Sequence, residues 1–169
     1  MARYDWDQYF MTMAYLVAMK SKDPRTRVGA VIVGPDQEIR ATGYNGFPRG
    51  YNDSEERYNN KEHKLQVINH AEENAILHCA RIGVSAKGCK LYCPWVPCSH
   101  CAKSIIQVGI IEVIYDENFP GNRICSEEDL ASMRLAREMF NETKVQVRAF
   151  KGGLINISGL HQGREYPIC

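Results

Sequence analysis

No stretch of this chain is both long and apolar enough to cross a bilayer, which excludes a membrane-spanning helix as the working part. Nor does either charge dominate. The 21 Lys and Arg against 20 Asp and Glu leave a formal charge of +1, too even for the broad basic footprint that a nucleic acid polymer demands. A small charged ligand stays open, because a local cluster of arginines needs no global excess. The opening MARYDWDQYF lacks the basic-then-apolar pattern of a secretory signal, so the expected compartment is cytoplasmic. Repeats and low-complexity tracts are absent as well. Cysteine is plentiful but odd in number: seven, at Cys79, Cys89, Cys93, Cys98, Cys101, Cys125 and Cys169. An odd count in such a chain argues against a disulfide framework and leaves metal binding or burial. With 169 residues the chain is long enough to bury a real core. The expected organisation is one domain over 1–169, with a core at about 4–150 and a tail at 151–169.

What is present alternates in periodicity. WDQYFMTMAYLVAMKSK carries a broad apolar face and predicts a helix capped by Asp5, ending before Pro24. VGAVIVG and EIRATGYN read as strands joined by a turn, hence a hairpin. From Gly46 to about Val67 the chain is polar and rich in Gly, Asn and Tyr, which predicts a long functional loop. HAEENAILHCARI predicts a helix from His70 to Ile82 with Gly83 as its C-cap. KLYCPWV is a strand, SHCAKSIIQVG a helix, IIEVIYD a strand, SEEDLASMRLAREMFNE a helix capped by Ser126, and KVQVRAF a last strand. The order α-β-β-α-β-α-β-α-β predicts an α/β protein, a three-layer α/β/α sandwich with a mixed sheet. The Gly-rich tail from Lys151 supports no assignment.

Chemistry concentrates at two helix starts. In PCSHC, Cys98 and Cys101 fall on one side of a first turn, where the helix N-terminus favours thiolate. Alone, a CxxC pair fits zinc, redox chemistry or coincidence. A histidine opening a different helix, His70, completes a His/Cys/Cys set, the three-donor count of a catalytic zinc with one position left for water. A structural site closed by His100 or Cys93 is the alternative. Glu72 weighs against it, because a carboxylate two residues past the histidine can sit beside the metal without binding it and move protons. The pattern H-x-E with P-C-x-x-C is the signature of zinc nucleobase deaminases, and HAE with PCSHC matches it in full.

Beyond the metal motif the sequence resembles the deoxycytidylate deaminases of the zinc-dependent cytidine deaminase superfamily. YDWDQYFM, SKDPRTRVGAVIV, GYNGFPRG, HAEENAI and PCSHCAKSIIQVGIIEVIY carry the resemblance, in order, from about Tyr4 to Phe150. It implies a cytidine-deaminase-like fold with a five-stranded mixed sheet and hydrolysis of dCMP to dUMP and ammonia, feeding thymidylate synthesis. It implies one catalytic Zn2+, held by His70, Cys98 and Cys101, with Glu72 as the proton carrier. Asn45 in GYNG would meet the sugar, and Asn74 the sugar–phosphate end. Lys22, Arg25, Arg27, Arg49 and Arg81 are the phosphate candidates, with Arg27 and Arg49 ranked first because they flank the matching loops. The resemblance also implies dCTP and dTTP as effectors, Mg2+ accompanying such a triphosphate, and a homo-oligomer, hexameric in many members. Glu73 departs from the family, where Leu or Met commonly follows the glutamate. Other readings are a dCMP/dCTP or cytidine deaminase, a tRNA adenosine deaminase (which the charge balance disfavours) and a non-catalytic zinc-binding regulator.

Overall fold

The computed structural model describes residues 4–156 and, in the tail, the backbone of 158–161 and 164–167; Cys169 lies outside the described residues. Helix α1 spans Trp6–Ala18. Asp5 caps it in a reciprocal box with Gln8, taking the Gln8 N–H at 2.7 Å. Strands β1 (Gly29–Val33) and β2 (Ile39–Tyr44) form the expected antiparallel hairpin. Strands β3 (Lys90–Tyr92), β4 (Glu112–Asp116) and β5 (Gln146–Phe150) complete one sheet in the order β2-β1-β3-β4-β5. β1 meets β3 antiparallel, while β3–β4 and β4–β5 are parallel, so the five-stranded sheet is mixed as expected.

Every residue of β1 is buried, because helices cover both faces of the sheet. Its side chains divide by alternation: Ala30 and Ile32 join one core cluster, Val31 and Val33 the other. The first cluster lies under α4 (Ala71–Ile82), α5 (Ser99–Gln107) and α6 (Glu127–Glu142); the second lies under α1, where Phe10, Met11 and Ala14 are fully buried. This is the three-layer sandwich. Gly43 lets α4 approach β2, since a Cβ there would collide with the Ala75 nitrogen and the Ala71 carbonyl. Gly83 ends α4 with φ 73°, the left-handed cap its position predicted.

The segment expected to be an irregular loop is different. It folds into two short helices, α2 (Glu55–Asn59) and α3 (Lys61–Val67). Asn60 separates them and caps α3 by accepting the His63 N–H at 3.1 Å. Phe47 stacks on Tyr58 with ring centroids 4.3 Å apart, giving the segment a small core of its own. In the tail, β6 (Ser158–His161) and β7 (Arg164–Pro167) pair antiparallel, separate from the main sheet.

Candidate active site

His70 and Cys98 occupy equivalent places, as the N-caps of α4 and α5, both with extended backbone. Neither side chain makes the capping hydrogen bond its position allows. They turn to each other instead. His70 Nδ1 lies 3.5 Å from Cys98 Sγ and 3.4 Å from Cys101 Sγ, and all three donor atoms fall within 4.8 Å of one another. β3 delivers this geometry, because its C-terminal end runs directly into the loop that starts α5, beside the start of α4.

The donor set fits a tetrahedral metal. Bond lengths near 2.0 Å to nitrogen and 2.3 Å to sulfur give a nitrogen–sulfur edge of about 3.5 Å, close to the distances found. The electrostatics agree. A hydrogen bond from the Cys101 thiol, with another from His70, holds Cys98 down at about 3, while the same bond and burial push Cys101 well up. Chiefly through its bond to Cys98, and against burial, the His70 pKa rises to about 9. The Cys98 sulfur thus draws hydrogen bonds from both Cys101 and His70, whose protons occupy the place that a divalent cation takes when both sulfurs are thiolates. Thiolate and imidazole donors together suit zinc.

Glu72 is 5% exposed and sits within the same cavity. Burial pushes its carboxyl pKa up, partly offset by the neighbouring His70. A carboxyl tuned upward beside an open metal position is suited to accept and return a proton. The cavity is about 230 Å³, and His70, Glu72 and Cys98 line it together with Asn45 and Trp95. Trp95 packs on Phe119 with centroids 5.6 Å apart, and Asn122 fixes the preceding loop by accepting the Val96 N–H at 2.9 Å and donating to the Pro94 carbonyl at 2.9 Å.

The other expected residues divide between places. Asn45 lines this cavity, its amide accepting from the Val28 N–H at 2.8 Å and donating to the Thr26 carbonyl at 2.9 Å. Arg27 is exposed, with Nε donating to the Asp23 carbonyl at 3.4 Å, and lines neither large cavity. Asn74, Arg49 and Arg81 line a second cavity of about 440 Å³, where Asn74 donates to the Tyr44 carbonyl at 2.7 Å. Lys22 pairs with Asp53 at 2.8 Å on the surface. Glu73 faces His100 at 3.4 Å, joining the first turns of α4 and α5 outside the donor set. Sequence reading missed Asp23, Lys64, Asp129 and Met133, all of which line the first cavity. No local motif marks them, since each reaches the cavity only through the fold.

A mixed-sheet sandwich with three metal donors and a buried carboxylate at paired helix N-termini defines a metal-dependent hydrolase with an open coordination position. Similarity to known proteins narrows that class. The chain belongs to the cytidine and deoxycytidylate deaminase family, whose zinc-binding region matches residues 4–117. It is 38% identical over 151 residues to the Homo sapiens deoxycytidylate deaminase, covering 86% of this chain and 80% of the human one. It is 45% identical over 120 residues to the probable deoxycytidylate deaminase of Drosophila melanogaster, covering 65% of this chain and 58% of that one. Among solved structures, the dCMP deaminase of cyanophage S-TIM5 in complex with dCMP and dUMP superposes with a TM-score of 0.67 at 25% identity. That match covers 89% of this chain and all of the phage chain. The Thermotoga maritima deaminase/reductase shares the fold, with a TM-score of 0.57 at 23% identity over 85% of this chain and 36% of its own.

Proposed function

We propose that this chain hydrolyses dCMP to dUMP and ammonia, supplying dUMP for thymidylate synthesis. The observation that carries the reading is the convergence of His70, Cys98 and Cys101 at the wall of a cavity that His70, Cys98 and buried Glu72 line. His70, Cys98 and Cys101 would hold Zn2+, which supplies Lewis acidity and brings the pKa of a bound water toward neutrality. Glu72 takes the proton from the attacking water and delivers it to N3 of the cytosine as oxygen bonds to C4. It then takes the remaining proton from the C4 hydroxyl and passes it to the departing amino group, so that the C4 carbonyl forms, C4–N breaks and ammonia leaves. Trp95 and Val96 form the wall beside the base, and their loop is held by Asn122. Asn45 keeps one amide hydrogen free of the Thr26 carbonyl for a sugar hydroxyl. Arg27, anchored on the Asp23 carbonyl, can swing its remaining donors to a phosphate.

A triphosphate effector, dCTP or dTTP with Mg2+ on its phosphates, suits the second cavity, where Arg49 and Arg81 bring cations and Asn74 an amide. Assembly as a homo-oligomer, with a hexamer as the expected state, is supported by Leu77 and Ile82, half-exposed on α4. Free cysteines at all six described positions suit a reducing cytoplasm, and among the described residues no helix is long and apolar enough to cross a membrane. The decisive assay follows ammonia release by purified protein from dCMP, dCTP, cytidine and adenosine. Preference for dCMP supports the reading, whereas zinc-loaded protein inactive on all four contradicts it.

A further inference from the structure

We propose that Lys64 binds the 5′-phosphate of the substrate nucleotide, an inference that rests on the deaminase reading of the same cavity. A nucleoside monophosphate brings about −1.5 to −2 of charge into a site already lined by carboxylates. Asp23, Glu72 and Asp129 all face this cavity. Among the described lining residues there is one lysine, Lys64, and no arginine.

Its setting is unusual for a lysine. Lys64 is 9% exposed, although it sits on α3 in a segment that is otherwise polar and largely solvated. Asp23, itself almost fully buried, holds Nζ at 2.9 Å. An ammonium carries three donors, and Asp23 is the one side chain among the described residues that takes one of them. The other Asp23 oxygen is occupied by the Arg25 N–H at 2.8 Å and the Thr26 N–H at 3.2 Å. Asp23 therefore orients the ammonium while part of its own charge is satisfied by the backbone.

The placement matches the order of groups in a nucleotide. Asn45 binds Thr26 and Val28, and Lys64 binds Asp23, so a single segment, Asp23–Val28, links the two side chains along the cavity wall. A sugar held at Asn45 therefore has Lys64 on the same wall of the cavity. Leu65 and Ile68, from the same stretch of chain as Lys64, also line the cavity.

The competing role is a purely structural tie, in which the ion pair only pins α3 to the Asp23 loop. Calorimetric titration of the zinc-loaded protein with dUMP and with deoxyuridine separates the two. Phosphate binding predicts that Lys64→Met weakens dUMP roughly 10- to 100-fold and shifts deoxyuridine by less than about threefold, with Lys64→Arg retaining most of the dUMP affinity. Equal weakening of both ligands, or of neither, overturns the assignment. Asp23→Asn/Lys64→Gln keeps a neutral hydrogen bond and covers the case in which Lys64→Met does not fold. A structural tie predicts recovery of dUMP affinity in that double variant; phosphate binding predicts that the loss persists. If the unaltered protein neither binds dUMP nor turns over dCMP, the reading of the cavity fails rather than the assignment of Lys64.

Discussion

Replacing Glu72 by glutamine removes the proton carrier while keeping its size and one hydrogen-bond-accepting oxygen. Glu72 is not among the three metal donors, so zinc content is expected to stay at one ion per chain. Fold stability is expected to hold as well. Glu72 is buried and its pKa is pushed up by that burial, and a neutral glutamine avoids the desolvation of a carboxylate. Turnover is another matter. Each proton transfer by a positioned acid or base contributes about 10² to 10⁴ in rate, and this carboxyl is asked to make two. The expected loss in kcat is about 10⁴ or more, equivalent to a barrier raised by about 5.5 kcal/mol, with little change in KM for dCMP. Steady-state kinetics beside metal analysis of the same preparation reads both quantities. A variant with more than a tenth of the original kcat would refute the assigned role, and one that loses its zinc would make Glu72 a ligand instead.

The remaining predictions concern the metal, the packing and the charge network. Cys98→Ser exchanges a thiolate for a poor zinc ligand and is expected to weaken zinc by more than about 100-fold in a competition titration with a chelator. Gly43→Ala places a methyl against the α4 backbone; it is expected to cost roughly 1–3 kcal/mol in denaturant unfolding and to lower activity by displacing His70 and Glu72 together. Arg148 bonds to Asp7 and Glu112 at once. The Arg148 bond holds the Asp7 pKa down against burial, while for Glu112 burial pushes upward and the bonds from Lys90 and Arg148 outweigh it. Both folded-state values lie below their ordinary ones, so the stabilisation is complete above the ordinary carboxylate range and lost as pH falls. The melting temperatures of the unaltered protein and of Arg148→Met are therefore expected to differ at pH 7 and to converge as pH drops from about 5 to about 3. A gap that persists at low pH would assign it to packing.

The donor set could be read from the sequence because each half is local. Two motifs 28 residues apart each place their ligands at a helix start, and the covering fold brings those starts together. The sheet was equally readable, since VGAVIVG is a short unbroken apolar run, the mark of a strand buried on both faces. The short helices α2 and α3 were not readable. Their apolar contacts run back to Phe47 rather than along a periodic face, and a single Asn60 supplies the break and the cap. Lys64 was hidden for a similar reason, because its partner Asp23 is 41 residues away and only burial distinguishes it from its exposed neighbours. Glu73 was unexplained for the same reason, since its partner, His100, comes from the other helix start.

The central claim is that His70, Cys98, Cys101 and Glu72 form a centre that hydrolyses the amino group of dCMP. Quantifying dUMP and ammonia together from dCMP incubated with the zinc-loaded protein tests it most directly. The account predicts the two products in equal amounts, turnover that a chelator stops and zinc restores, and faster reaction with dCMP than with cytidine or adenosine. Zinc-loaded protein that leaves dCMP unchanged would contradict it.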